Sequence, residues 1–368
     1  MTLEKLYQWK EELAKRFWGL SKPQVFNLAV FSFGVILARD CRLAIVSEHL
    51  GLLGKPDTVE RRLQRLLDNH LIKMDECFRW WATWILMLLE NEIDRVVLLV
   101  DETKLSNHLG IMMVGITYRQ RCIPLIWRCY SPKAYPPEGQ VKMIEGLLEK
   151  LTPILSFPPL LQADRGIGTS PELIRVVENL GWKYLFRVQS SSHLKRSNRP
   201  AGPLIRLAER GKQWSGKGRI FKKDGFQIEA FVHVTWVKSY EDPWCLVTND
   251  PNLTGDEYAL RVWQEEGFRD LKSGGWKWDD SHVWQPDHAE RLLLILALAY
   301  VWILSQGTLI LQADEATRRL VTRGKRCLYS VFRLGLRYFS YMLSLAQPVK
   351  MAFYLVPSDP FPAAQAFL

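Results

Sequence analysis

Between residues 95 and 188 the hydrophobic period switches in a fixed order, and that order constrains the fold more than any other feature of the chain. RVVLLVDET (95–103) is a β-branched apolar run that ends in acids. GIMMVGITYR (110–119) and RCIPLIWRCY (121–130) follow as two strands almost touching in sequence, the pattern of a tight hairpin. QVKMIEGLLEKL (140–151) has the period of an amphipathic helix. PPLLQADRG (158–166) reads as a buried strand that again meets an acid. PELIRVVENLG (171–181) has proline at a helix start and glycine at its end, and WKYLFRV (182–188) is a further strand. Three strands, helix, strand, helix, strand predict an α/β fold: a mixed sheet with flanking helices.

The segments on either side differ in texture. Residues 1–92 read as an all-helical domain, with Leu3, Leu6, Trp9 and Leu13 at helical spacing and a Trp-rich helix over 77–92. Within it, 42–69 holds two short helices around a Gly51–Gly54 break, which resembles a helix-turn-helix. Arg61, Arg62 and Arg65 on its second helix could face a phosphate backbone or a major groove; the alternative is a plain helical hairpin with a solvated arginine face. Residues 191–250 read as a basic β insertion with Asp224-Gly225 as a hairpin turn. The stretch 183–223 carries twelve Lys or Arg against one acid, Glu209. Residues 251–275 return to helix. The longest apolar run, 292–304, is too short to span a bilayer and is expected to be a core helix. The domain layout is then 1–92; 93–190 with 251–310 as the core; 191–250 as the insertion; and 311–368 as a C-terminal helical region. That last region includes a basic stretch at 318–337 and a loose tail at 361–368.

Composition narrows the function classes. With 48% hydrophobic and 24% charged residues the chain is an ordinary folded protein, not a disordered or fibrous one. A formal net charge of +10 favours a polyanionic partner. The six cysteines form no C-x-x-C pair, so they read as buried apolar groups in a reducing compartment. The seven histidines do not cluster. No signal peptide or membrane segment is expected, which gives a cytoplasmic, nucleoid-associated location with no membrane partner.

Three acids stand out: Asp101 and Asp164 at strand ends, and Glu265 on the helix after the insertion. Carboxylates at the ends of neighbouring strands offer hard oxygens to Mg²⁺, and two such ions can clamp an in-line phosphoryl displacement. For any one acid the alternative is a turn or cap. On a continuous helix, Tyr258, Arg261, Glu265 and Lys272 fall within an arc of about 60°, with Arg269 beside them and Glu266 and Asp270 on another side. The competing account is a surface helix laced with Arg261–Glu265 and Glu265–Arg269 ion pairs.

YALRVWQEEGFRDLK (258–272), with its Y-x2-R-x3-E-x6-K spacing, resembles the signature of the bacterial insertion-sequence DDE transposases that carry a tyrosine–arginine–glutamate–lysine (YREK) motif. VDET around Asp101 and ADRGIG around Asp164 sit where that family keeps its two aspartates, and the resemblance covers roughly residues 1–340. The family's tryptophan directly after the motif arginine is replaced here by Val262, with Trp263 one place on. The resemblance implies an RNase H-like core with a β insertion before the glutamate helix. It implies two Mg²⁺ ions, with Mn²⁺ as substitute, held by Asp101, Asp164 and Glu265. It places Tyr258, Arg261 and Lys272 on DNA phosphates, with Arg269 and Arg187 in the same DNA-facing set. Trp236 and Trp244 become candidates to hold a flipped base, the alternative for each being ordinary strand packing. The implied activity is cut-and-paste transposition through hairpin ends by a homodimer on double-stranded DNA, binding terminal inverted repeats and target. A stand-alone nuclease and a non-catalytic, domesticated DNA-binding protein remain as alternatives.

Overall fold

The computed structural model describes residues 3–89, 93, 95–197, 199–322 and 329–357. The N-terminal part is helical as expected: α1 (Leu3–Arg16), α2 (Lys22–Ala38), α3 (Leu43–Glu48), α4 (Pro56–Asp68) and α5 (Met74–Leu89). Leu6, Trp9 and Leu13, one helical turn apart, are the buried stripe of α1. The start of α2 is fixed by Gln24, whose Oε1 accepts the Ser21 N–H at 2.8 Å. A short 3₁₀ turn (Gly51–Leu53) separates α3 from α4, so the two-helix unit foreseen over 42–69 is present.

Ten strands among the described residues form one sheet, in the order β3-β2-β1-β4-β5-β10-β9-β8-β6-β7. They are β1 (Val97–Leu105), β2 (Leu109–Tyr118), β3 (Arg121–Tyr130), β4 (Leu160–Ala163), β5 (Lys183–Arg187), β6 (His193–Arg196), β7 (Arg199–Pro203), β8 (Gln213–Ile220), β9 (Ile228–Thr235) and β10 (Trp244–Thr248). β1, β4 and β5 run parallel; the other pairings are antiparallel. The helices α6 (Gly139–Leu151), α7 (Arg165–Gly168) and α8 (Pro171–Asn179) supply the crossovers.

The insertion strands are continuous with the core: β10 pairs with β5, so β6–β10 prolong the core sheet. Without β10, the backbone groups along that side of β5 would be an open edge. Asp224-Gly225 does sit in a turn, closed by Phe226 N–H on the Lys223 carbonyl at 3.1 Å, but the loop between β8 and β9 is longer than a two-residue hairpin.

After the sheet come a 3₁₀ turn (Asp256–Arg261), α9 (Val262–Leu271), α10 (Pro286–Gln312), α11 (Glu315–Arg319) and α12 (Val331–Ser344). By length and composition α10 could cross a membrane, and it runs well beyond the apolar stretch 292–304; 94% of its most apolar window is buried inside the fold. It is the central core helix. Residues 349–356 run as a strap between the N-terminal helices and the sheet. Phe353 stacks on Trp84 at 4.2 Å, and the Val356 N–H donates to the Tyr118 hydroxyl on β2 at 3.1 Å. Cys41, Cys77, Cys122, Cys129 and Cys245 are buried free thiols. Cys327, Arg323, Lys325 and Arg326, the tail 361–368 and residues 90–92 of the expected Trp-rich helix lie outside the described residues.

Candidate active site

Strand alternation brings the acids together. On β1, Val97 and Leu99 face a small apolar cluster that also holds Leu160 of β4, Leu185 of β5 and Tyr258, Leu260 and Trp263 of the α9 segment. With a period of two, Asp101 continues that face. The parallel register sets Val100 beside Ala163 and Ala163 beside Phe186. One residue further along, Asp101, Asp164 and Arg187 therefore stand in a row across three adjacent parallel strands; Asp164 and Arg187 are at the ends of β4 and β5, but Asp101, expected to close its strand, lies in the middle of β1, which continues to Leu105 paired with β2. Glu102 points to the other face, where it accepts hydrogen bonds from the Tyr130 hydroxyl and from Gln140 Nε2.

The row is not equally exposed. Asp101 Oδ1 accepts the Glu102 N–H at 2.9 Å, and Oδ2 receives Arg261 Nη2 at 2.6 Å. Burial pushes the Asp101 carboxyl up to about 6; Arg261 pulls against that and the neighbouring Asp164 adds to it. Asp164 caps α7, its Oδ1 accepting the N–H groups of Gly166 and Ile167 at 3.0 and 3.1 Å. Arg187 is half-buried, and its Nε has no hydrogen-bond partner.

The glutamate segment is not one continuous helix. It opens as a 3₁₀ turn after Gly255, whose φ of +95° few other residues would adopt, and becomes α-helical at Val262. Residues three apart eclipse in a 3₁₀ turn, so Tyr258 and Arg261 still share a face. Lys272 lies just past the helix, with backbone angles that leave it, yet its Nζ reaches back to Thr103 Oγ1 at 2.8 Å and the Lys104 carbonyl at 2.9 Å. Burial lowers its pKa. Tyr258 is buried edge-on against Trp244, and burial raises its hydroxyl pKa.

Glu265 is the outlying member. Its side chain is 65% exposed, and Arg261 Nη1 stands 4.0 Å from its Oε1. The Glu265–Arg269 pair of the competing surface-helix account is absent; Arg269 instead pairs with Glu266 at 2.7 Å, while Glu266 also faces Arg121 at 3.5 Å. That agrees with Glu266 pointing away from the site. Asp101 and Asp164 supply the hard oxygens a divalent cation prefers, and the strain on Asp101 is what a cation would relieve. The three carboxylates do not close on one point, however. Among the described residues no group of three acidic, histidine or cysteine side chains is placed to hold a metal ion, and the buried Arg261 guanidinium lies between Asp101 and Glu265.

The remaining candidates scatter. Trp244 packs on Tyr258 in the small cluster, within reach of the site. Trp236 lies beyond β9, its indole N–H on the Tyr240 carbonyl at 3.1 Å and Arg210 over its ring at 5.6 Å. Arg61 and Arg65 are exposed, whereas Arg62 lies over the Phe26 ring at 5.2 Å and turns inward. Sequence reasoning missed the anchor of α9: Asp270 Oδ2 accepts from Arg121 Nε at 2.5 Å and from the Tyr300 hydroxyl at 3.3 Å. Arg121, a charge opening an otherwise apolar strand, was the available signal.

A solved piggyBac transposase synaptic complex with hairpin DNA resembles the chain at 10% identity, with a TM-score of 0.38 over 94% of this chain and 81% of that one. No curated protein matches the sequence. Residues 138–302, which include Asp164, the 258–272 motif and Glu265 but not Asp101, match the family described as the transposase DDE domain.

Proposed function

We propose that the chain is a DNA transposase with an RNase H-like core. It binds the ends of an insertion sequence, cleaves them in a Mg²⁺-dependent step that passes through hairpin ends, and joins them to target DNA as a homodimer. The observation that carries this reading is the row Asp101–Asp164–Arg187 across three adjacent parallel strands, faced by the Tyr258–Lys272 segment. Asp101, Asp164 and Glu265 would hold the divalent ions, Mg²⁺ or Mn²⁺, which when bound neutralise charge and activate water or a 3′-hydroxyl for in-line attack on phosphorus. Arg187 and Arg261, each with buried N–H donors left unmet, are suited to the oxygens of a DNA phosphate. Lys272 ties the far end of α9 to the end of β1. The exposed cations of the insertion, several lying over aromatic rings, suit a DNA backbone.

The test uses a duplex carrying one end of the element. Asp101→Asn, Asp164→Asn and Glu265→Gln should each lower Mg²⁺-dependent cleavage by about 10³-fold or more while end binding in a gel shift stays close to normal. Glu266→Gln should keep most of its activity. Normal cleavage by any of the three acid variants would remove that residue from the site. The Arg261–Asp101 pair also favours a second reading, a non-catalytic DNA binder whose acids are neutralised internally. That reading expects end binding without cleavage in Mg²⁺ or Mn²⁺. A stand-alone nuclease would cleave yet fail to join pre-cleaved ends to target.

A further inference from the structure

We infer that Arg261 is the site's own cation in the DNA-free protein, and that a DNA phosphate must draw it away before Asp101 and Glu265 can share a metal ion. This rests on the transposase reading and adds an order of events to it.

Three observations converge on this one side chain. Arg261 is 6% exposed and donates Nη2 to Asp101 Oδ2 at 2.6 Å. Its Nη1 stands between that pair and Glu265, 4.0 Å from Oε1. Its Nε and Nη1 are buried and find no hydrogen-bond partner. A guanidinium that had reached its best partner would fill its five donors; this one fills a fraction of them. Buried N–H groups without partners are costly, so the pose is a compromise that a phosphate, able to accept two parallel N–H bonds, would improve on.

Two consequences follow. While Arg261 holds Asp101, it competes with a divalent ion for the same carboxylate. Once a phosphate takes the guanidinium, Asp101 is left beside Asp164 without a counter-charge, and an incoming cation gains what the arginine gave up. DNA and metal should then bind with positive coupling, each raising the other's affinity by the same factor.

The experiment titrates Mn²⁺ into the full chain by calorimetry, with and without a short 5′-phosphorylated duplex, for the parent, Arg261→Gln and Arg261→Lys, with thermal melts to confirm folding. Without DNA, Arg261→Gln should bind Mn²⁺ at least about fivefold more tightly than the parent. Adding the duplex should tighten Mn²⁺ binding by a similar factor in the parent and by much less in Arg261→Gln. Arg261→Lys, a charge without the planar fork, should fall between. If phosphates merely added metal ligands, the duplex would help parent and variant equally, and the inference would fall. It would also fall if the parent bound Mn²⁺ tightly without DNA and Arg261→Gln bound it less well; the transposase reading would survive that result. No Mn²⁺ binding by any form, with or without duplex, would sink both. Should Arg261→Gln fail to fold, the parent alone still decides: equal Mn²⁺ affinity with and without duplex overturns the inference.

Discussion

Side chains on β1 alternate between two faces, and that alternation separates the adjacent acids of the VDET stretch. Asp101 continues the face of Val97 and Leu99, while Glu102 bonds Tyr130 and Gln140 on the other side. Another carboxyl, Glu290, shows what burial does outside the site. The Cys129 N–H donates to its Oε1 at 3.0 Å, and burial pushes it up to about 7 from an ordinary 4.5. The folded chain therefore favours the protonated form. The stability this group contributes is greatest below about pH 4.5 and is drained as it ionises on the way to pH 7 and above. Glu290→Gln, which cannot ionise, should gain on the parent across that interval and be more stable at pH 8 by roughly 1–3 kcal/mol in urea unfolding. An advantage independent of pH would refute the assignment. Strand period put Asp164 just past a buried strand, as found, whereas Asp101, read as closing its strand, lies in the middle of β1. The partner of Arg261 was not legible, because it depends on how a helix approaches a sheet and not on either segment alone.

At the level of elements, α9 needs an anchor because its acid must stay close to the sheet. Asp270 supplies it, bonded to Arg121 on β3 and to Tyr300 on α10, all three buried. Breaking such a pair leaves a buried charge, so Asp270→Asn should cost about 3–5 kcal/mol in denaturant unfolding and lower cleavage by displacing Glu265. Unchanged stability would show the pair to be incidental. The sequence placed Asp270 off the catalytic stripe but offered no partner for it. The stripe itself was half legible: Tyr258 and Arg261 share a buried face through a 3₁₀ turn, while Glu265 on α9 stays exposed beside Arg261. That turn follows the Gly255 backbone, which residue spacing does not encode. The meeting of α10 and α12 was hidden for a similar reason. A Cβ on Gly335 would lie 2.0 Å from the Ile303 carbonyl oxygen, so those helices touch backbone to backbone.

Across the whole molecule, the element order over residues 95–188 was readable, but the union of core and insertion in a single sheet was not. Period-2 patterning marks strands without naming their neighbours, and β10 reaches β5 only after the chain has left and returned. The strap at 349–356 was equally hidden, being apolar residues without regular structure. Phe353 is 7% exposed and wedged among Trp84, Trp9 and Trp81, so Phe353→Ala should cost about 3–5 kcal/mol. A melting temperature equal to the parent's would mean the strap is ornamental. The unbroken sheet has one more consequence. From β4 to β8 is four strand spacings, roughly 19 Å, or about half a helical turn of B-DNA. Hydrogen-bonded ladders hold that span like a ruler. A duplex lying across both the acids and Lys217 and Arg219 of β8 cannot stretch the gauge to suit itself, so any bending needed to match it falls to the DNA.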